Sequence, residues 1–426
     1  MRTSLLALLL AACTTPVVVP GSADDGAFTV PGADPGACEA LAPAPEGDFL
    51  ARGTVVSAWR PACAEGIHAA AGAKGSTLAV HLDAWAGPGL AEVTMLDLLG
   101  QPLAGPRALA PGESLPVSLR QSGEVLVHVR PEAPEGAGND YALSVACTAG
   151  CDLEYTRYPI VLFHGAAPGD VLGLVDYFNG VQTVLEGRGY LVITPEVDPF
   201  ASIEERSAQW ADHLDGLLTD GVGRKFDVIG HSQGGLDARY IVSRLGYADH
   251  VAAVVTVATP HRGSAVADLA AGILDPTPLG QAIVDGVADD VAGLLGLPPQ
   301  DAMGAIGSLN TEAMARFDAE TPDAPGVYYA SWAGHSCGIL EPGCIAREHG
   351  EIVTPLLGAT YTLLEATDGA NDGMVPVSSA KWGDYRGEIP ADHLDEVGQI
   401  GDTRNPAFDH RAFYLSQARR LAAMGL

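Results

Sequence analysis

Basic residues are scarce in this chain: 23 Lys and Arg stand against 53 Asp and Glu, a formal charge of −30. So acidic a surface repels phosphate, which argues against nucleic acid as a partner and against adhesion to anionic lipid head groups. The acidity serves solubility instead. Long apolar runs are missing too. The N-terminal run within Met1–Cys13, MRTSLLALLLAAC, is too short to span a bilayer, and no other segment is able to cross one. Cysteine is sparse, seven in 426 residues, and no spacing among the seven looks like a zinc site. No internal repeat is apparent.

What is present describes a globular chain, with 47% apolar residues and a length that suits one large domain and a smaller one. Met1–Cys13 holds one base, a short apolar core and a closing Leu-Ala-Ala-Cys, the make-up of an export signal. The residues before Cys13 resemble a bacterial lipobox. That implies a signal peptide over 1–12 and a lipid on Cys13, and Thr14, where a retention aspartate would otherwise sit, points to the outer membrane. The expectation is an exported lipoprotein, facing the periplasm or the cell surface and joined to the membrane through its N-terminal lipid. Six cysteines remain, an even number in an exported chain, so disulfides are expected. Cys337 and Cys344 pair most naturally with each other, while Cys38, Cys63, Cys147 and Cys151 allow three connectivities.

Residues 13–37, rich in Pro, Gly, Ala and Asp, read as a flexible tether. Residues 38–151 carry short alternating runs broken by turns, among them Thr77–Leu82, Glu92–Asp97, Glu124–Val129 and Tyr141–Val145. Regular strand spacing without helical periods predicts a small antiparallel β-sandwich. Its end, Gly123–Arg130 and Asn139–Val145, resembles a bacterial pre-peptidase C-terminal type domain, which implies a spacer or a binding module.

From 152 to 426 apolar strands alternate with amphipathic helices, the pattern of a doubly wound, mostly parallel sheet. Strands are expected at Tyr158–His164, Tyr190–Thr194, Phe226–Ile229, Val251–Val257 and Tyr328–Trp332, and a sixth at Thr360–Leu364. Helices are expected at Leu174–Glu186, Ile203–Leu218, Leu236–Leu245 and Ala407–Ala423.

The chemistry centres on Gly230-His231-Ser232-Gln233-Gly234, set between a buried strand and a helix. A strand turning at once into a helix strains the residue between, and small flanking residues give the two room. Ser232 is therefore expected to stand exposed on a nucleophile elbow. A serine hydroxyl needs a base, and the base an orienting carboxylate, which this class of fold supplies in the order Ser, Asp or Glu, His. After Ser232 the histidines are His250, His261, His335, His349, His393 and His410. His393 stands out because it follows the best acid candidates, Asp372 and its rival Asp368, which lie in a turn after the expected sixth strand. The oxyanion needs two backbone donors. One is expected at Gln233, after the nucleophile, and the other at Ala166, past His164-Gly165 in the loop after the first strand.

Six motifs occur in a fixed order: Tyr158–Gly165, Val175–Phe178, Gly230–Gly235, Thr259–Ser264, Gly369–Gly373 and Asp392–Val397. Together they resemble the pseudomonad-type bacterial triacylglycerol lipases, calcium-containing α/β-hydrolases, from about Tyr158 to the C-terminus. The resemblance implies a Ser232, Asp372, His393 triad acting on a lipid ester at an interface. It also implies a structural calcium ion held by Asp395, Gln399 and the Thr403 carbonyl, with Glu351 nearest to the family's fourth ligand. A helper foldase is a further partner that the family suggests. Within the stretch 264–310, Leu279, Ile283, Val284, Val287, Val291, Leu294 and Leu295 recur at helical spacing, which in such a family implies a lid. The alternatives are a short-chain carboxylesterase or polyester hydrolase, and a surface binding protein on a vestigial hydrolase fold.

Overall fold

The computed structural model describes residues 49–50, 52, 55–60, 65–87, 89–132, 139–166, 176–275, 281–338, 352–399 and 408–426. Among these, three sheets form. The first eight strands are β1 (Val55–Arg60), β2 (Gly66–Gly72), β3 (Thr77–Trp85), β4 (Ala91–Leu96), β5 (Pro102–Leu109), β6 (Ser114–Ser118), β7 (Gly123–Pro131) and β8 (Asn139–Ala149). They pair antiparallel in two four-stranded sheets, ordered β1-β8-β3-β6 and β2-β7-β4-β5. Alternation decides the faces. Leu78, Val80 and Leu82 of β3 meet Val93 and Met95 of β4 and Val125, Val127 and Val129 of β7 in one buried core. Cys147 at the end of β8 is bonded to Cys151, which selects one of the three connectivities, while Cys38 and Cys63 lie outside the described residues.

The second part begins with β9 (Ile160–Phe163), α1 (Val181–Glu186), β10 (Val192–Ile193), α2 (Ile203–Thr219), β11 (Phe226–His231) and α3 (Gln233–Arg244). Then come β12 (Val251–Val257), α4 (Ala265–Ala270), α5 (Gln281–Leu295), α6 (Pro299–Gly307), α7 (Thr311–Glu320) and β13 (Tyr328–Gly334). The remainder is α8 (Gly358–Thr367), α9 (Val377–Ala380), β14 (Asp384–Ile389) and α10 (His410–Met424). The sheet order is β10-β9-β11-β12-β13-β14, parallel throughout. Val161, Phe163 and Val228 pack on α2 and α3, whereas Ile160, Leu162 and Ile229 pack on α1 and α10. Full burial of such side chains contributes about 1.5–3 kcal/mol each. Helices on both faces of a parallel sheet, preceded by a β-sandwich, make an α/β-hydrolase fold with an added β domain. Among the described residues no helix is long and apolar enough to cross a membrane.

Two expectations are corrected. Thr360–Leu364 is not a strand but the middle of α8. Its β-favouring composition is overridden because Thr360, Tyr361, Leu363 and Leu364 bury one helical face. The sixth strand is instead β14, a largely exposed edge whose DYRGEI lacks an apolar run. Asp372 accordingly follows a helix, not a strand. Winding reverses at β9, with β10 on one side and β11 on the other. The carboxyl ends of β9 and β11 therefore open a crevice, the usual place for a ligand in such sheets.

Candidate active site

Ser232 stands where β11 ends and α3 begins, with φ 55° and ψ −130°. That backbone is strained for a non-glycine residue and is held from both sides. Its N–H donates to the Val257 carbonyl at 2.9 Å, and Thr259 Oγ1 donates to its carbonyl at 2.8 Å. A Cβ on Gly234 would meet the Phe163 carbonyl oxygen at 2.3 Å, and one on Gly230 the Gly235 nitrogen at 2.7 Å. The elbow exists because both positions lack a side chain.

His393 Nε2 lies 3.0 Å from Ser232 Oγ, and His393 Nδ1 lies 2.9 Å from Asp372 Oδ2. Asp372 is fully buried; its Oδ1 accepts from the backbone N–H groups of Met374 and Val375 at 2.7 and 2.6 Å. The His393 N–H donates to the Asp372 carbonyl at 2.9 Å, so acid and base are also tied through the main chain. With its Nδ1–H given to the carboxylate, His393 presents Nε2 as acceptor to the serine hydroxyl. This geometry can move a proton off Ser232 and stabilise the resulting imidazolium. Asp368 caps the end of α8 and accepts from Thr367, away from His393. His250, His261, His335 and His410 bond to Arg224, Thr256, Glu388 and Asn179 respectively, and His349 lies outside the described residues.

Gln233 opens α3, so its N–H is one of the helix's unpaired first-turn donors. Ala166 and Ser232 line the same cavity, about 60 Å³, with Leu294 and Leu295 of α5, Ile306 of α6 and Leu309. Val287, Val291, Leu294 and Leu295 of the predicted stripe are buried in the core around the site. Ile283 and Leu279 have no described side chain. Asp290 of α5 caps α8, accepting from the Ala359 and Thr360 N–H groups at 2.6 and 3.1 Å.

Three residues that sequence reasoning passed over complete the base's surroundings. The Tyr177 hydroxyl donates to His231 Nδ1 at 2.8 Å, and His231 Nε2 donates to Glu396 Oε2, also at 2.8 Å. The His231 ring lies 4.7 Å from that of His393, and Glu396 Oε2 is 3.9 Å from His393 Nδ1. Burial, and next the charge of His393, push the His231 pKa well down, so it stays neutral when its neighbour becomes a cation. The signal was present: His231 sits inside the pentapeptide and Glu396 three residues after His393, yet neither spacing shows which groups meet. His231, His393 and Glu396 are also the one group of three among the described residues that could hold a metal. The geometry places Glu396 beside His393 Nδ1, the nitrogen whose proton is given to Asp372, so the group is accounted for by the hydrogen bonds of the triad.

Of the expected calcium ligands, Asp395 is half-buried in the turn Asp395–Val397 and Gln399 is buried, its amide nitrogen donating to the Tyr177 carbonyl at 3.3 Å. Glu351 and Thr403 lie outside the described residues, as does Cys13. Cys337 is disulfide-bonded, and Cys344 lies outside the described residues.

A triacylglycerol lipase of Vibrio cholerae serotype O1 is 31% identical over 294 residues, which is 64% of this chain and 89% of that protein. This chain belongs to the triacylglycerol lipase family. A second member, from Pseudomonas fragi, is 28% identical over 296 residues and is covered over 98% of its length. The family model for palmitoyl protein thioesterase matches residues 159–288, the segment with the elbow at its centre. Among solved structures, the mature Bacillus licheniformis lipase BlEst2 is 21% identical, with a TM-score of 0.46, over 62% of this chain and 92% of its own. The metagenomic carboxyl esterase MGS0156 is 21% identical, with a TM-score of 0.48, over 65% and 79%. As a member of this family the protein is a carboxylic ester hydrolase acting on lipid esters.

Proposed function

We propose that the protein is a triacylglycerol lipase that works at a lipid–water interface through Ser232, His393 and Asp372. The observation that carries this reading is the unbroken line from Ser232 Oγ through His393 to Asp372 Oδ2, at 3.0 and 2.9 Å, facing an apolar cavity. Ser232 Oγ attacks the ester carbonyl carbon as His393 Nε2 takes its proton, and His393 then returns that proton to the leaving alkoxide. Water, activated by the same imidazole, releases the acid from the acyl-enzyme. Backbone N–H groups of Gln233 and Ala166 receive the oxyanion. Relatives named triacylglycerol lipase support the choice of substrate.

The cavity of about 60 Å³ is under half the ~150 Å³ that holds a benzene ring. Leu294 and Leu295 of α5 and Ile306 of α6 wall this narrow cavity, so α5 and α6 are the segments read as the lid. Calcium belongs to the same proposal. Asp395 and Gln399 supply the carboxylate and amide oxygens such a hard cation takes, and Glu351 and Thr403 would complete the set. The fit is favoured locally: the Asp392 carboxyl is raised by burial and then by the nearby Asp395 charge, a crowding of negative charge that a cation would relieve. When bound, the ion would clamp the segment that carries His393. Anchoring through a lipid on Cys13, with placement at the outer membrane, is supported by the Leu-Ala-Ala-Cys sequence that ends there. Fatty-acid labelling of wild type but not of Cys13→Ser tests that part.

The deciding experiment is initial rate against esters of graded chain length, in solution and in emulsion. Preference for long chains in emulsion is expected. Turnover confined to short soluble esters would replace the lipase reading with a carboxylesterase.

A further inference from the structure

We propose that the cleft between the segment ahead of β1 and the C-terminal end of α10 is a second binding site, which takes an amphipathic carboxylate on Arg52. This goes beyond the reading above and uses none of its residues.

The cleft holds about 600 Å³, far more than the cavity at Ser232 and within the roughly 300–1,000 Å³ of pockets that take small organic ligands. Phe49 and Arg52 wall it from ahead of β1, Leu153 and Tyr155 from ahead of β9, and Met424 and Leu426 from the end of α10. It lies at the amino end of the parallel sheet, away from Ser232, because Arg157 stands just before β9 and gives its N–H to the Leu426 carbonyl at 2.7 Å. Three arginines line it, in a chain whose 53 acids outnumber 23 bases. Two of them are matched. Arg157 gives Nε to Glu124 at 2.6 Å, and Arg419 gives Nε and Nη2 to Glu154 at 2.8 and 2.7 Å. Arg52 stands over the Tyr155 ring, 4.5 Å from its centroid, and its shielded Nε and Nη2 have no hydrogen-bond partner among the described residues.

Those two N–H groups share one edge of the guanidinium and point the same way, the fork that the two oxygens of a carboxylate accept side by side. A cation with that edge shielded and unmatched is costly, so an acceptor is wanted there. The backbone that carries Arg52 is fixed beforehand. Phe49 forms a β-bridge to Ala69 of β2, the Leu50 N–H donates to the Ala69 carbonyl at 2.7 Å, and the Arg157 guanidinium stands 4.3 Å over the Phe49 ring. Arg52 itself is only half-buried, so a turn of its side chain presents the edge to the cleft and little else needs ordering. The rest of the wall is largely apolar, from Phe49, Leu153, Met424 and Leu426, and Met424 is 46% exposed. A carboxylate head on a hydrocarbon body matches this division. A fatty acid is such a molecule, and hydrolysis of a lipid ester releases one, so the cleft can hold product away from the site that makes it.

The test titrates monomeric laurate into the full chain by calorimetry, with Ser232 phosphonylated and the adduct confirmed by mass, so that the catalytic cavity contributes nothing. One site per chain is expected. Arg52→Gln should weaken binding by about tenfold or more, and Arg52→Lys, which keeps the charge and loses the fork, by less. Dodecanol, with the tail and no carboxylate, should bind about tenfold more weakly than laurate. Met424→Glu, a change at an exposed position, sets a like charge on the wall and should weaken laurate as well. Circular dichroism identifies the folded variants. Laurate that does not bind the blocked chain overturns the proposal, as does a folded Arg52→Gln chain that binds it like wild type. Dodecanol bound as tightly as laurate would make the cleft an apolar groove without a carboxylate site, which overturns it too. If neither Arg52 variant folds, Met424→Glu decides: laurate affinity equal to wild type there rejects the cleft, and weakened affinity upholds it.

Discussion

Glu124 on β7 receives Arg224 at two points, Nε to Oε2 and Nη2 to Oε1, both at 3.0 Å across 100 residues of sequence. Arg157 adds a third bond to the same carboxylate at 2.6 Å, and the Glu124 side chain is 1% exposed. The two arginines lie just before β11 and β9, so the sandwich grips the amino end of the parallel sheet, opposite the Ser232 elbow. Leaving two part-buried cations without their carboxylate costs about 3 kcal/mol or more. Glu124→Ala should therefore lose about that much in chemical denaturation, with kcat of the folded enzyme unchanged. A loss of kcat at full stability would place the sandwich in catalysis.

Ser232→Ala and His393→Ala should each abolish ester hydrolysis down to the oxyanion-hole contribution, roughly 10³- to 10⁴-fold above water. The Ser232→Ala midpoint should stay close to wild type, whereas His393→Ala leaves the buried Asp372 Oδ2 without its partner and should lose about 1–3 kcal/mol of stability. Single-turnover assays distinguish the two: the serine variant forms no acyl-enzyme at all.

Asp227 is fully buried on β11, and neither carboxyl oxygen has a hydrogen-bond partner among the described residues. Burial raises its pKa well above the ordinary value of 3.8. The folded state therefore keeps a proton that the unfolded chain releases above about pH 4. The contribution is fully present below that pH and is lost as pH rises toward the folded value, by about 1.4 kcal/mol per pH unit. Asp227→Asn should flatten that decline, giving a midpoint that exceeds wild type increasingly as pH rises. Parallel curves for the two proteins would mean that Asp227 ionises freely.

Calcium removal should lower the thermal midpoint and erode activity together, since Asp395 lies two residues past His393. Saturation a hundredfold above the dissociation constant stabilises the native state by about 2.7 kcal/mol. Calorimetry with and without chelator, repeated on Asp395→Asn, measures this. An unchanged midpoint after verified metal removal would leave Asp395 an ordinary carboxylate.

Displacing α5 and α6 exposes Leu294, Leu295 and Ile306, which is unfavourable in water and favourable against lipid. The rate should jump once substrate exceeds its solubility. Asp290→Ala, which frees α5 from the N-terminus of α8, should raise the rate on soluble ester and shrink the jump. A smooth saturation curve in wild type would argue for a site that is open in solution.

Local pattern was enough for the elbow, because an apolar strand, G-x-S-x-G and a helix succeed one another within twenty residues and steric room at Gly230 and Gly234 is a nearest-neighbour matter. Alternation was likewise enough for β3, β4, β7 and β8, and for the parallel strands buried on both faces. Where burial comes from distant chain, local composition misled: Thr360–Leu364 has strand-like residues but is helical because its partners are α4 and α5, and β14 is a strand only because β13 lies beside it. The same holds at the site. Sequence order left Asp372 beside its rival Asp368 and the family resemblance chose between them, but the 2.9 Å approach of Asp372 to His393 across 21 residues depends on a buried turn whose oxygen is held by the Met374 and Val375 amides. Tyr177, His231 and Glu396 come from three separate segments, and Arg206 meets His164 and Asp237 from a fourth helix-borne position. Hydrogen bonds between side chains 31 to 165 residues apart leave no periodicity in a sequence, so only the packed chain brings these groups together.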